Sequence, residues 1–506
     1  MAYVELHCHS AFSFLDGASL PDELVATACE LGYGALALTD HNSVSGSMEF
    51  AVAAQALGLR SIHGAEIDLE PDDSRAVQPG ERATQPGGGR HLTLLVEDAT
   101  GWSSLCRILT RAHAHTREKP GPPSQAYVSL ETVLEHARGL VCLSGCALRG
   151  VHDEPSLRRL LEAFGPDHLR VELQRPFLQG DRARNRRLEW LARRLGVPCV
   201  ATGNVHAHAR SRAPLQDALV AVRRHTTLDA SEPERRGNFS HVLAGPTAME
   251  ARFPEHPDAV AETTRLAERL QFDLRSDLGY RYPGAEDEGA MRQLTELCQA
   301  RLQDRYVGDR THLHDAAAGR LQQELRIIES LGLPGFFLLH HDMLELAREV
   351  AVEVRGPDSA RALLPPGRGR GSSVSSIVCY LTGLSHVDPI ANELLIGRFL
   401  NEELTSLPDI DLDFPRDIRE KLIPRVHERY GHDRSALVAA FPTYRARGAI
   451  RELGKALGLP PGEIERVARG SEGWDAREVA KDIESALGGV GRGKVGRWEW
   501  LARLAR

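Results

Sequence analysis

Hydrophobic and polar positions change rhythm repeatedly over the first 270 residues. Residues 3–9, "YVELHCH", alternate with a period of two, as a strand with one buried face does. "LPDELVATACELG" then spaces its apolar residues as a helix, with Ser19 able to cap its start and Gly32 to close it. "ALALTDH" is an apolar run ending in Asp40 and His41, the mark of a buried strand. A second helix from about Ser47 runs to "LGLR" and leads into "SIHGAEIDL", a third strand carrying Glu66. After a Pro/Gly-rich stretch at 71–90, "HLTLLVED" opens with His91. "GLVCLSGCA", "HLRVELQ" and "VPCVATGNVHAH" each follow an amphipathic helical stretch. Strands alternating with helices predict an α/β fold with parallel strands, closed into a barrel.

From about Tyr282 the rhythm becomes helical. "AAGRLQQELRIIESLGLPGFFLLHHDMLELAREVAVEV" keeps apolar residues at helical spacing and breaks at Leu333-Pro334-Gly335. "PPGRGRGSSVSSIVCYLTGL" follows, a loop of Gly367, Gly369, Gly371, Arg368, Arg370, Ser372 and Ser373 ahead of an apolar helix. Backbone N–H groups in such a loop, aided by a helix N-terminus, suit phosphate oxygens, although most Gly-rich loops are linkers. Some forty residues later "SLPDIDLDF" sets Asp409, Asp411 and Asp413 at alternate positions. In a strand they share one face and repel unless a cation lies between them. A solvated edge strand would present acids in the same way, but the residues between these are too apolar to favour it. A triphosphate cradle and carboxylates for divalent ions together describe phosphoryl transfer through two Mg²⁺ ions about 4 Å apart.

In the first half, unusual polar residues gather at the carboxyl ends of the strands: His7 and His9, His41, Glu66, Cys146, Asn204 and His206. Barrel enzymes place their chemistry on that face. Imidazole, carboxylate and thiolate are the ligand set of zinc, manganese or iron, so a metal site is expected. His91 is the exception, since it begins its strand.

Composition changes this picture little. At 506 residues the chain is long enough for two to four domains, and its 42% hydrophobic and 26% charged residues are those of an ordinary globular protein. The net charge of −8 does not advertise a nucleic-acid partner, although charge can be local. The eight scattered cysteines lack metal-finger spacing, and no stretch approaches a membrane span. "MAYVELHCHS" lacks a signal-peptide layout, so a reduced cytoplasmic setting is expected.

"LHCHSAFSFLDG", "LTDHNSVSG", "HGAEI", "HLTLLV", "LSGCA" and "ATGNVHAH", in this order, resemble a PHP (polymerase and histidinol phosphatase) domain. The resemblance implies His7, His9, Asp16, His41, Glu66, His91, Cys146 and His206 as ligands of Zn²⁺ or Mn²⁺. A ninth position, usually Asp, is Asn204 here. The amide keeps a carbonyl ligand and drops a negative charge, so metal binding is expected with weak hydrolysis or a purely structural role.

"GRGSSVSSIVCYLTGLSHVDPI", "RFLNEE", "LPDIDLDF", "HERYGHDRSALVA" and "TYRARGAIRELGKALGLP" resemble the alpha subunit of bacterial replicative (C-family) DNA polymerases. That implies a PHP domain over 1–275, a palm of mixed sheet and helices over 276–440, and a truncated helical thumb over 441–506. It implies Asp411 and Asp413 as catalytic, Mg²⁺-binding residues, and Arg370, Gly371, Ser372 and Arg398 around the incoming nucleotide. Arg447, Arg451 and Lys455 recur every four residues, one basic helix face for DNA phosphates or simply a solvated charge run. The thumb segment "AFPTYRARGAIRELGKALGLP" and Asn204 look like the error-prone, damage-tolerant branch of the family. Primed DNA and deoxynucleoside triphosphates are then the implied partners, with a sliding clamp and other mutagenesis proteins reached through regions beyond Arg506. The family's third palm aspartate comes after the thumb, so this sequence is expected to be an N-terminal portion that does not extend primers alone. The competing expectations are a stand-alone PHP phosphoesterase, which has no need of "GRGSS" with "PDIDLDF", and a non-catalytic DNA-binding module.

Overall fold

The computed structural model describes residues 3–71, 89–116, 125–232, 235–279, 282, 287–358, 367–401, 408–431, 434–438, 440–441, 443–471, 478–487 and 495–505. The chain divides into two compact units, Met1–Gly279 with Pro442–Arg506, and Tyr280–Phe441.

In the first unit six strands form one sheet in sequence order: β1 (Ala35–Leu38), β2 (Arg60–Asp68), β3 (His91–Val96), β4 (Leu140–Leu143), β5 (Leu169–Gln174) and β6 (Cys199–Thr202). β1, β3, β4 and β5 are buried along their whole length, as the unbroken apolar runs of β1 and β4 require, while β5 buries Arg170, Glu172 and Gln174 as well. Flanking helices are started by local chemistry. Asp98 accepts from Gly101 N at 2.8 Å, and Asp153 from Ser156 N at 2.9 Å.

The opening residues are not a long ladder strand; they are the seam that closes the sheet. Glu5 bridges Leu36 of β1, and Cys8 bridges Val205 just after β6. The Glu5 carboxylate accepts from Gly203 N at 2.9 Å, His7 N at 3.0 Å and Tyr3 Oη at 2.7 Å. Burial pushes its pKa up to about 7, against the pull of those donors.

One expectation is corrected. The strands are not all parallel: β3 runs antiparallel to both β2 and β4, while β1–β2, β4–β5 and β5–β6 are parallel. The Pro/Gly-rich sequence between β2 and β3 is a poor helical crossover, and parallel neighbours need one. The reversal also accounts for His91. The first residue of β3 pairs with Asp68, at the carboxyl end of β2, so His91 stands on the same rim as the other donors.

Helices Ala446–Ala456, Pro461–Gly470, Val479–Leu487 and Val495–Leu504 share a core in which Ile450, Leu453 and Val467 pack with Ala218 of the helix Ala213–Arg223. The second unit is helical, with long helices at Ala290–Arg305, His314–Ser330, Pro334–Arg355 and Arg416–Tyr430. Its sheet, among the described residues, is one antiparallel pair, β7 (Arg368–Arg370) with β8 (Asp411–Asp413), smaller than the mixed sheet expected.

Candidate metal centre and acidic strand

Glu66 is the hub of the first unit's polar rim. Its carboxylate lies 3.4 Å from His7 Nε2, 3.5 Å from His9 Nε2, 3.0 Å from His41 Nδ1 and 2.8 Å from His91 Nδ1. Two groups of ligating atoms result, His7–His9–Glu66 and His41–Glu66–His91, each with its atoms within 4.8 Å of one another. Ligands about 2.0–2.2 Å from a shared zinc or similar ion must stand this close.

Two observations fit a metal better than a self-satisfied polar core. His7 Nε2, His9 Nε2 and His91 Nε2 are buried without a hydrogen-bond partner. His91 Nε2 is 2.7 Å from Asp68 Oδ1, yet neither atom makes a hydrogen bond of good geometry. Buried polar atoms left unpaired are rare unless something else satisfies them.

The remaining expected ligands fall in two places. Cys146 Sγ approaches His91 Nδ1 at 3.7 Å, and His91 outweighs burial to hold the thiol below its usual range. Asp16 and His206 form a separate corner, with His206 Nε2 3.2 Å from Asp16 Oδ2. His9 joins the corners, its ring stacked 4.2 Å from that of His206. Asp40 is no ligand in this arrangement: it accepts from Ser10 N and Ser10 Oγ at 2.7 Å and from Ser13 Oγ at 2.8 Å, bracing the loop after His9.

Charge in the cluster is strongly coupled. Burial alone would raise Glu66, but His91 and His7 hold it well below the carboxylate range. Burial would lower His7, but Glu172 and then Glu66 push it well above its normal value. His41 rises to about 9 against burial, chiefly through Asp68. His9 falls well below the usual imidazole range, through burial and then His206.

Asp68 and Glu172 were not among the expected residues. Asp68 sits two residues after Glu66, on the same strand face, which is the signal that could have found it. It meets His41 Nε2 at 2.8 Å. Glu172 of β5 meets His7 Nδ1 at 2.7 Å, leaving Nε2 for the hub. Such outer partners fix which nitrogen a histidine offers to a metal.

In the second unit β7–β8 pairing sets the Gly/Arg loop against the acidic strand, with Arg370 opposite Asp411. Asp411 and Asp413 flank Leu412 and are half to two-thirds exposed, 52% and 61%. Arg370 Nε lies 3.8 Å from Asp411 and 3.5 Å from Asp413. Asp409 precedes the strand, so two acids rather than three share its face. Gly371 needs its φ of +73°, and a Cβ there would come within 4.0 Å of Asp411.

The phosphate cradle differs from the expected one. Gly371–Ser375 forms a 3₁₀ turn, and the following helix, Ile377–Thr382, does not offer its N-terminus to a ligand. Glu324, fully buried, already accepts from Ile377 N at 3.0 Å, Val378 N at 3.2 Å and Ser376 Oγ at 2.7 Å. Arg320 pairs with Glu324 at 2.9 Å and donates to Ser375 O at 3.2 Å. Ser372 and Gly371 remain exposed in the turn. Arg398 closes the turn Ile396–Arg398, and its side chain lies outside the described residues.

Arg447, Arg451 and Lys455 do lie along one helix, but each has an internal partner: Ser471 O at 2.9 Å, Glu465 at 2.9 Å and Glu452 at 2.7 Å. Among the described residues no helix is long and apolar enough to cross a membrane.

Residues 5–176 match the PHP domain family, and residues 292–490 match the bacterial DNA polymerase III alpha NTPase domain. The chain thus carries a PHP domain followed by a region of the DNA polymerase III alpha family. The similarity is to error-prone DNA polymerases in particular. That of Symbiobacterium thermophilum is 35% identical over 493 residues, covering 93% of this chain and 42% of its own length. That of Mycolicibacterium paratuberculosis is 36% identical over 500 residues, covering 95% of this chain and 43% of its own. The chain thus spans less than half the length of these curated relatives. A solved amidohydrolase from Chromobacterium violaceum aligns with 41% of this chain and 88% of its own at 18% identity, with a TM-score of 0.28, too low to carry a fold argument.

Proposed function

We propose that this chain supplies the PHP domain and the nucleotide-binding part of a cytoplasmic DNA-directed DNA polymerase of the error-prone, repair or translesion type. Deoxynucleoside triphosphates and primed DNA are its substrates. The observation that supports this reading is the β7–β8 pair, which sets Arg370, just before Gly371 and Ser372, opposite Asp411. The Arg370 guanidinium suits triphosphate oxygens, and the two exposed carboxylates suit Mg²⁺. Those ions would supply activation of the primer 3′-oxygen and charge neutralisation on the leaving pyrophosphate. The chain's own part is to orient the triphosphate against that strand. A sliding clamp is a partner of the wider assembly in this reading.

Primer extension with Mg²⁺, measured on the protein at its natural length, tests this. Asp411→Ala or Asp413→Ala should abolish incorporation and leave PHP metal content unchanged. Incorporation that survives Asp413→Ala overturns the assignment.

The PHP cluster, in the same reading, binds Zn²⁺ or Mn²⁺ through His7, His9, His41, Glu66 and His91, with hydrolysis weak because Asn204 withholds a charge. Cleavage of single-stranded 3′ ends with Mn²⁺ should rise in Asn204→Asp. Robust cleavage by the unaltered protein, lost in His9→Ala, would replace this with a proofreading role.

A further inference from the structure

We propose that the Asp16–His206 corner of the PHP cluster is filled by the Arg236 guanidinium, which stands in for a divalent ion and limits the site to two metals. Arg236 donates from one nitrogen to both Asp16 oxygens, at 3.2 and 3.1 Å. Arg223 adds a second guanidinium at 3.8 Å, and Gln216 Nε2 donates to Asp16 Oδ1 at 3.3 Å. Two guanidiniums and an amide are thus gathered on this carboxylate, with His206 Nε2 3.2 Å from its other oxygen. A carboxylate has roughly four lone-pair sites, and Arg236 and Gln216 donate to three of them.

The two halves of the cluster therefore differ in kind. Around Glu66 the ligating nitrogens of His7 and His9 are unpaired, as they would be when awaiting a cation. Around Asp16 the cation is already present as a side chain. His206 and His241 both turn Nδ1 to the Asn204 carbonyl, at 3.0 Å each. The one ligating atom of this corner left buried and unpartnered is Asn204 Oδ1, a neutral amide oxygen. A corner whose carboxylate already meets two arginines is a poor host for a divalent ion, because cation repulsion adds to the missing negative charge of Asn204.

This refines the metal-binding reading of the same cluster, and the test separates the two. Metal content of the purified full chain is measured after loading with Zn²⁺ or Mn²⁺. Thermal unfolding of Asp16→Asn, Arg236→Met and the double variant is then followed with and without chelator. At most two ions per chain are expected, with Asp16→Asn retaining the unaltered content. Each single variant should lower Tm by roughly 2–4 °C, the double variant by little more, and the losses should persist in chelator. A third ion lost in Asp16→Asn, or a cost of that variant that vanishes in chelator, overturns the inference. If Asp16→Asn fails to fold, Arg236→Met and the ion count decide alone: three ions in the unaltered chain, or no Tm loss in Arg236→Met, is contrary. A chain with no metal but an intact, chelator-resistant coupling would sink the metal reading and leave the arginine in its place.

Discussion

The two metal-directed regions solve the same electrostatic problem in opposite ways. Around Glu66 the donors are buried, come from distant parts of the chain, and hold one another's charge states far from normal. Along β8 two carboxylates lie open to solvent beside Arg370. A buried cluster can retain an ion without help, because its ligands are prepaid in folding and exchange no water. An open pair holds Mg²⁺ only when substrate phosphates complete the coordination. The first arrangement suits a metal that stays, the second a metal that arrives with the nucleotide.

Removing ligands from the closed site should give the largest effect. His7→Ala with His9→Ala should lose bound metal and about 3–4 kcal/mol of stability at saturating ion, because only the folded form binds. Chelator should lower the Tm of the unaltered chain and leave that of the variant unmoved. An unaltered Tm insensitive to chelator would dissolve the contrast between the regions.

Glu324→Ala asks whether the open region is also soft. It would strand two buried amides, a hydroxyl and the Arg320 cation, at a cost of about 3 kcal/mol. Faster amide hydrogen exchange over 371–382 should report it, with Glu324→Gln milder. Unchanged exchange would mean the cradle is held elsewhere.

His63 sharpens the comparison inside the first unit. Unlike the metal-facing imidazoles it has neither ring nitrogen paired, and Phe50, Trp102 and Phe272 surround it edge-on. Burial lowers its pKa to about 4, with Asp273 opposing. A histidine depressed in the folded state stabilises nothing by protonating, so stability should fall as pH drops from about 6.5 to about 4. The loss approaches about 2–3 kcal/mol at the acid end. His63→Leu should flatten that limb in denaturant titrations across this range. An unchanged limb would assign the acid sensitivity to other groups.

The smallest effect is expected on β8. Asp411→Ala or Asp413→Ala removes an exposed carboxylate whose ion pair among the described residues, with Arg370, is distant, so stability should change by less than about 0.5 kcal/mol. A Tm shift of several degrees would show that these acids serve the fold as well.

What could be read in advance was whatever depends on near neighbours in sequence. The strand-end donors and "DLD" are local patterns, and a two-residue period places them on a face. His91 was legible as a residue but not as a position, because its side of the rim follows from a strand reversal that no local pattern reports. Glu324 is one acid on an amphipathic helix until it is seen 52 residues from its hydroxyl partner. Arg236 reaches Asp16 across 220 positions, beyond any spacing rule. The internal partners of the basic helix were hidden for a related reason: Arg451 finds its acid on the next helix, 14 residues on.

The Glu5–Gly203 seam has a consequence in time. Its partners are 198 residues apart, and closing it brings His7 and His9 to the rim where His206 also stands. At roughly 5–20 residues per second, a ribosome takes about 10–40 s to make that stretch. Through that interval the first two histidines exist without their pocket, as free imidazoles on a nascent chain. Loop-closure entropy opposes so distant a contact until its packing rewards it. Metal capture by the complete cluster is therefore a late event in the life of each molecule, following the last strand of the ring rather than guiding the first.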